Sequence, residues 1–346
     1  MPTTQSHGSR LTADLGQRPI IPFIGVYDAY SASIATRHFD ALFLSGFSFG
    51  ASFYGLPDEG YIAWSDLIAA THRIRSVTPG SHLLVDMDDG YGDPGIAAHA
   101  AATLESMGAS GIILEDQLRP KKCGHLDGKQ VMELDGFMEK LDRVLSARRH
   151  LVVVARTDAA EPEERLRRAR AIDRTAADAI LVDGLSDMQF LQILRREVKK
   201  PIVFNQIAGG KSKARGLGEL RQAGVGLVIY STPCLFAAHT AIDTTLSDLK
   251  SHDGKLPEPT PHRVELGEVN RHLKANLVTR HQQGMNATSK TNDLPLLRGG
   301  SFRADAGVSL QERRRGDPPR LGEDEDGNLA SCEPGPVEGV PAEALS

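Results

Sequence analysis

A cysteine among basic residues is the group in this chain best suited to proton transfer. Cys123 lies beside Lys121, Lys122 and His125 in the run PKKCGH, residues 120–125. Nearby positive charge lowers the pKa of a cysteine toward neutrality, where the thiol both gives and takes protons. The polar, glycine-containing surroundings argue against a buried core cysteine, and two ligands alone give only a weak zinc signal. We therefore expect acid–base catalysis by Cys123 with Lys121 and His125.

An acidic run upstream has the ligands of a hard metal ion. It reads DMDDGYGD over residues 86–93, and Glu115 ends a later apolar run. Asp86 and Asp88 alternate along an extended segment, so their side chains face the same way. Unpaired carboxylates repel one another and take up protons, a penalty that a divalent cation removes. The alternative to a metal site is that the acidic run forms a solvated turn and caps the next helix. We predict that Asp86, Asp88 and Glu115 bind Mg²⁺, or Mn²⁺ in its place.

Short apolar runs alternate with helical patterns from residue 20 to residue 250. Such alternation indicates a parallel sheet buried on both faces, and eight units fit an α/β fold of the (β/α)₈ TIM-barrel type. An open doubly wound sheet is the alternative, but no GxGxxG run follows the first strand. The predicted strands are 22–26, 41–45, 82–86, 111–115, 151–156, 179–182, 201–205 and 227–230.

Polar residues stand at the ends of these predicted strands, where barrel enzymes carry their catalytic groups. Arg156 and Asn205 suit recognition of a carboxylate, because a guanidinium grips planar oxyanions with paired hydrogen bonds. A structural ion pair of Arg156 with Asp158 or Asp183 is the alternative. The strand-end residues are Ser45, Asp86, Glu115, Arg156, Asp183 and Asn205.

Composition sets the remaining bounds. The formal net charge of −5 gives no reason to expect a nucleic acid or an anionic membrane as partner, and three scattered cysteines suggest the reducing cytoplasm. No run of eighteen apolar residues appears, so a membrane span is not expected. We predict a flexible N-terminus (1–19), a catalytic barrel (20–250), a helical extension (251–284) and a disordered, charged tail (285–346).

Taken together, these motifs resemble the isocitrate lyase and phosphoenolpyruvate mutase superfamily. The resemblance runs from about residue 25 to residue 249 and includes GVYDA, SGFS, GLPD, LEDQ, ARTD and the PKKCGH block. That block is similar to the branch that holds 2-methylisocitrate lyase, dimethylmalate lyase, oxaloacetate hydrolase of the petal death protein type, and carboxyphosphonoenolpyruvate mutase. The resemblance implies a Mg²⁺-dependent enzyme for small carboxylate substrates. It also implies a homotetramer, with segment 264–282 as the candidate helix exchanged between subunits.

The resemblance also implies roles for individual residues. Asp86 would bind the metal directly, and Asp88 and Glu115 directly or through water. Asp58 would lie on a gating loop, and Cys123 would supply a proton to the product carbanion. Substrate binding would fall to Ser45, Gly46, Phe47, Gly124, Arg156, Asp183 and Asn205.

Three positions depart from the pattern of these relatives. Asp183 stands where lyases usually carry glutamate, and the shorter carboxylate is expected to reach less far. Met87 and Asp89 replace a small residue and a threonine or alanine, and Asp89 is expected to add negative charge near the site.

The preferred function is a carbon–carbon lyase for a small 2-hydroxy or 2-oxo di- or tricarboxylate, of the 2-methylisocitrate, alkylmalate or oxaloacetate type. A phosphonomutase or phosphonopyruvate-type enzyme is the alternative. A third hypothesis, outside the enzymes, is a catalytically silent barrel that serves as a binding module.

Overall fold

Eight parallel strands form a closed barrel in the computed structural model, which describes residues 5–185, 187–256 and 264–291, with side chains to residue 283. The strands follow one another in chain order, and β1 pairs with β8 to close the sheet. The predicted barrel is therefore confirmed, and the open doubly wound sheet is excluded. The strands are β1 (Ile21–Val26), β2 (Ala41–Leu44), β3 (His82–Asp86), β4 (Gly111–Glu115), β5 (Val152–Thr157), β6 (Ala179–Val182), β7 (Ile202–Gln206) and β8 (Val225–Tyr230).

Helices connect the strands and cover the barrel from outside. Among the described residues, none of them combines the length and apolarity needed to cross a membrane. The helices are α1 (His7–Gln17), α2 (Ala29–Ala35), α3 (Gly46–Tyr54), α4 (Trp64–Arg75), α5 (Pro94–Ser106), α6 (Leu134–Ala147), α7 (Pro162–Asp173), α8 (Met188–Glu197), α9 (Leu217–Gln222), α10 (Pro233–Ser251) and α11 (Leu266–Thr291).

Alternate strand residues build two apolar cores. In β1, Ile21 and Phe23 belong to a cluster of strand residues inside the barrel, whereas Ile24 and Val26 belong to the larger cluster between strands and helices. This period of two follows from the pleat of a strand, whose successive side chains point to opposite faces. Because both faces are buried, the strands read as continuous apolar runs.

The sequence suggested that residues 1–19 are flexible, but most of this segment forms helix α1. Ser6 accepts a hydrogen bond from the Ser9 amide and so caps helix α1. Leu11 is fully buried in the interior barrel cluster, and Leu15 packs against the same cluster. The two leucines, four residues apart, lie on one face of the helix, so burying that face fixes it on the barrel.

The C-terminal part differs partly from expectation. Helix α11 lies in the predicted extension and hydrogen-bonds to α2, where His272 Nε2 is 2.7 Å from Ser33 Oγ. Residues 285–291, predicted to be disordered, continue this helix. The rest of the predicted tail, 292–346, lies outside the described residues.

Candidate active site

The predicted strand-end residues lie together at one rim of the barrel. Asp86 and Glu115 are the last residues of β3 and β4, and Ser45 and Asp183 directly follow β2 and β6. Parallel strands of a barrel end at the same rim, so residues distant in sequence become neighbours there. All six predicted strand-end residues are buried.

Three carboxylates at this rim have oxygen atoms without a hydrogen-bond partner. The oxygen atoms without a partner are Oδ1 of Asp86, Oδ2 of Asp88 and both carboxylate oxygens of Glu115. Burial raises the pKa of Asp86 and raises that of Glu115 well above its usual range. Burial, only partly offset by Lys121, raises the pKa of Asp88 to about 7. Buried polar atoms are nearly always paired, so these oxygens suit a ligand that carries positive charge.

The charge balance of the rim also suits a cation. At the rim, the cations Lys121, Lys129 and Arg156 face six carboxylates, and Lys140 also acts on Glu115, so the site carries an excess of negative charge when all of these groups are ionised. The carboxylates are Asp58, Asp86, Asp88, Glu115, Asp158 and Asp183. In the described part of the chain, however, no three His, Cys, Asp or Glu side chains converge tightly enough to enclose a metal ion. This arrangement fits Mg²⁺, which takes few direct carboxylates and keeps several waters.

Lys121 is a fixed counter-ion at this site. Its Nζ lies 2.6 Å from Asp88 Oδ1 and 2.8 Å from Asp58 Oδ1, and the side chain is almost completely buried. Burial lowers the pKa of Lys121, but Asp88 and Asp58 outweigh that effect and raise it well above its usual value. Lys121 therefore stays protonated and neutralises the carboxylates, and it is poorly suited to accept a proton.

Arg156 lies between three carboxylates. Its guanidinium donates to Asp158 Oδ2 at 2.8 Å and forms ion pairs with Asp183 Oδ2 at 2.9 Å and Glu115 Oε2 at 3.2 Å, neither of them with the alignment of a hydrogen bond. The structural ion pairs considered from the sequence are thus both present. A guanidinium held by several acceptors is fixed in position, which also suits it to contact a substrate.

The Cys123 thiol does not have the lowered pKa expected from its neighbours in sequence. Cys123 is 7% exposed, because its loop folds over the barrel mouth, and the expectation of an unburied cysteine is wrong. Burial, with a contribution from Asp58, raises the pKa of the thiol to about 12. The charge of Lys121 is directed to Asp58 and Asp88, so it does not stabilise a thiolate. At neutral pH the sulfur is a thiol that can give a proton but cannot take one.

His125 joins the cysteine loop to the opposite side of the barrel mouth. Its Nδ1 accepts a hydrogen bond from the Lys211 amide, so the proton of the neutral ring lies on Nε2. That nitrogen is 3.5 Å from Asp183 Oδ1. Asp183 thus reaches His125, Arg156 at 2.9 Å and the Asn205 amide at 3.1 Å in spite of its shorter side chain.

The remaining predicted site residues border this cluster. The Gly46 amide donates to Asp86 Oδ2 over 3.3 Å, at the first turn of α3, which Ser45 caps. The ring of Phe47 packs edge to face against Phe236 of α10. Asn205 Oδ1 accepts a 2.6 Å hydrogen bond from Ser231, a residue that the sequence did not single out.

Lys129 is a further site residue missed in the sequence. Its Nζ lies 2.8 Å from Asp158 Oδ1 and also donates to the Gly124 carbonyl oxygen. Lys211 binds Asp127 of the same loop, with Nζ 2.6 Å from Oδ1. Both lysines hold the loop closed. The only sign of a role for Lys129 in the sequence was its nearness to Cys123. That sign is weak, because a lysine in a polar loop is usually a surface residue.

Comparison with known proteins identifies the family. A family model described as phosphoenolpyruvate phosphomutase matches residues 12–250. The chain belongs to this family. It is 34% identical over 235 residues to petal death protein of Dianthus caryophyllus, covering 65% of this chain and 73% of that protein. It is 32% identical over 244 residues to 2-methylisocitrate lyase of Shewanella oneidensis, covering 69% of this chain and 83% of that protein.

A solved structure extends the likeness to three dimensions. Oxaloacetate acetylhydrolase in complex with the inhibitor 3,3-difluorooxalacetate superimposes with a TM-score of 0.73 and 28% sequence identity, covering 84% of this chain and 99% of that one. The resemblance to the isocitrate lyase and phosphoenolpyruvate mutase superfamily is thereby confirmed, as is the prediction that the chain is an enzyme of the lyase type.

Proposed function

We propose that this enzyme is a Mg²⁺-dependent lyase that cleaves a carbon–carbon bond of a small 2-hydroxy or 2-oxo di- or tricarboxylate. Substrates of the 2-methylisocitrate or oxaloacetate type fit best, because relatives carry those names, and the alkylmalate type follows from the resemblance of the PKKCGH block. The observation that carries the proposal is a buried, protonated thiol closed over a rim of carboxylates with unpartnered oxygens. A silent binding module could use the carboxylates to hold a cation but would have no need for the thiol.

Asp86, Asp88 and Glu115 would hold the cation, Asp86 directly and the others directly or through water. When bound, Mg²⁺ supplies electrostatic stabilisation of negative charge on substrate oxygens. Arg156 and the first turn of α3, with Ser45 and Gly46, would contact the substrate carboxylates. Without the bound cation, the negative charge of these carboxylates would repel the carboxylates of the substrate.

Cys123 would act as the general acid. When the carbon–carbon bond of a 2-hydroxy acid, or of the hydrate of a 2-oxo acid, breaks, a carboxylate of the rim takes the hydroxyl proton as one fragment forms a carbonyl, and the other fragment retains the bonding electrons on carbon. The thiol proton of Cys123 then moves to that carbon. The loop 119–129, closed by Lys129 and Lys211, excludes water that would compete for the carbanion.

A phosphonomutase or phosphonopyruvate-type activity is the second candidate, favoured by the description of the matching family model. A panel of 2-methylisocitrate, 2-alkylmalates, oxaloacetate and phosphonopyruvate, each with Mg²⁺, separates the two. We expect cleavage of one of the first three, detected as a new carbonyl product or acid. Turnover of phosphonopyruvate alone, followed by phosphorus NMR, would favour the second candidate. No turnover across the panel with Mg²⁺-dependent ligand binding would indicate a binding module.

The affinity for Mg²⁺ is expected to rise with pH up to about pH 7. In the metal-free protein, burial raises the pKa of Asp88 to about 7, with Asp86 and Asp58 acting in the same direction and Lys121 opposing them. A cation must displace that proton, so affinity should weaken by at least about tenfold for each pH unit below about 7, because the pKa values of Asp86 and Glu115 are raised as well. Isothermal titration calorimetry across this range measures the slope.

Stability should show the same linkage. Because the folded pKa of Asp88 exceeds its unfolded value, its contribution to the stability of the metal-free protein is fully present below the unfolded pKa and is lost as pH rises through about 7. Asp88→Asn should reduce the pH slope of Mg²⁺ affinity below about pH 7, because it removes the proton that Asp88 contributes and leaves those of Asp86 and Glu115. Asp93→Asn, at an exposed helix cap of the same segment, should preserve it, since asparagine also caps. A pH-independent affinity in the unsubstituted protein would exclude this explanation.

We further propose that the enzyme is a homotetramer of a reducing compartment such as the cytoplasm. Helix α10 has no buried residue, and its Ile242 and Leu246 are each 60% exposed, an apolar surface suited to a second copy of the chain. The cysteines of the described part, Cys123 and Cys234, are free thiols. A monomer mass by light scattering would contradict the tetramer.

A further inference from the structure

Asp89, one of the departures from the pattern of relatives, is buried and forms an ion pair with Arg119, whose side chain is 39% exposed. The Arg119 Nε lies 3.1 Å from both oxygens of Asp89, and Nη2 lies 2.8 Å from Oδ1. The Asp89 side chain is 2% exposed, so its charge is not screened by water. The sequence suggested that Asp89 adds negative charge to the site; instead, Arg119 neutralises it.

Arg119 also contacts the segment that carries Asp58. Its Nη1 donates a 2.8 Å hydrogen bond to the Gly60 carbonyl oxygen. Two residues further along, Lys121 makes a parallel pair of contacts, to Asp58 and to Asp88. The two cations therefore tie the start of the cysteine loop both to the acidic run and to the Asp58 segment, Lys121 from inside the site and Arg119 from its outer edge.

The geometry favours Arg119 over a lysine for this task. A guanidinium presents several donors in a fixed plane and binds a carboxylate and a carbonyl at once, whereas an ammonium group is a point charge on a flexible stem. Removal of Arg119 would take away the ion-pair partner of the buried Asp89 carboxylate and leave only the charge of Lys140 near it, which is unfavourable. The acidic run and the loop would then separate to admit water.

We propose that Arg119 is a positioning residue, which fixes the Cys123 loop (119–129) and the Asp58 segment (58–60) closed over the barrel mouth through Asp89 and Gly60. Its effect on turnover rests on the proposed lyase function. The effect of Arg119 on loop closure does not depend on that function. Closure is measured directly by the burial of Cys123.

The test is the rate of alkylation of Cys123 by N-ethylmaleimide, followed by peptide mass spectrometry. Cys234, half-buried on α10, serves as an internal reporter in the same molecule. Arg119→Gln should raise the Cys123 rate at least about tenfold, because local opening exposes the thiol, and leave the Cys234 rate unchanged. Arg119→Lys should give an intermediate rate. Arg170→Gln, which removes an exposed arginine paired with Glu197, is the matched control and should change neither rate.

Asp89→Asn should reproduce the effect of Arg119→Gln, and the double substitution should add little to either, since both remove the same pair. On a substrate of the panel, Arg119→Gln should lower kcat about tenfold or more while Mg²⁺ affinity is preserved. An unchanged Cys123 rate in Arg119→Gln would overturn the inference, as would an equal rise at Cys234, which indicates general loosening of the fold. If no compound of the panel is turned over, the proposed function fails while the alkylation result still decides the role of Arg119.

Discussion

Cys123→Ser is expected to lower kcat by about 10²–10⁴-fold, the usual contribution of a general acid. A serine hydroxyl occupies nearly the same space as the thiol but is a much weaker acid, so the carbanion would wait for a proton from elsewhere. Mg²⁺ affinity should be unchanged, because the carboxylates of the acidic run keep their positions. Steady-state kinetics on the best substrate of the panel, with Mg²⁺ titration alongside, measures both.

The control for this substitution is Cys234→Ser. Cys234 is a free, half-buried thiol on α10, so its replacement should leave kcat unaltered. The raised pKa of Cys123, about 12, adds a second expectation. The thiol stays protonated across the neutral range, so its titration should produce no loss of kcat below about pH 10. Normal turnover by Cys123→Ser would remove the thiol from the mechanism.

Sequence could predict the fold and the collection of residues at the barrel rim because both follow from local patterns. Apolar runs of strand length, separated by helical patterns, leave few alternatives to a closed parallel barrel. Once the strands are placed, topology brings Asp86, Glu115 and Arg156 to one rim whatever the detailed packing. The observed strands accordingly begin and end within two residues of the predicted ones.

Sequence could not predict the ionisation of Cys123, because that depends on which groups meet in space. Lys121 is two residues away along the chain, yet its ammonium group is directed to Asp58 and Asp88. The carboxylate of Asp58 comes from a distant segment and raises the pKa of the thiol, as does burial. The basic residues next to Cys123 in the sequence therefore predicted a lowered pKa for the thiol, whereas its pKa is raised.

The same limit applies to the pairings that close the loop. Lys129 with Asp158, and Arg119 with Asp89, join segments about thirty residues apart, and such pairs leave no mark in local composition. Helix α1 was missed for a related reason. Leu11 is fully buried and Leu15 partly buried, and two leucines are too few to indicate an amphipathic helix without the barrel cluster against which they pack.

Gly124→Ala is expected to reduce turnover about 10²-fold or more by displacing the cysteine loop. A Cβ atom built on Gly124 would lie 1.9 Å from Asp183 Oδ2 and 2.4 Å from Arg156 Nη2. These two side chains cannot easily yield, since they bind each other at 2.9 Å and Asn205 also holds Asp183. The loop must therefore move outward, and a displacement of about 1 Å at a catalytic group costs on the order of 10²-fold in rate.

The displacement is purely steric, because Gly124 does not adopt the left-handed conformation that alanine would disfavour. Mg²⁺ affinity and the melting temperature should therefore change little, while kcat falls and alkylation of Cys123 accelerates. The matched control is Gly136→Ala in α6, where a Cβ meets no atom within 4 Å. Alanine there should leave kcat unchanged and stabilise the helix by about 0.5–1 kcal/mol. Full activity in Gly124→Ala would show that turnover does not require the loop in this closed position, and the role of Cys123 as the proton donor would then fail with it.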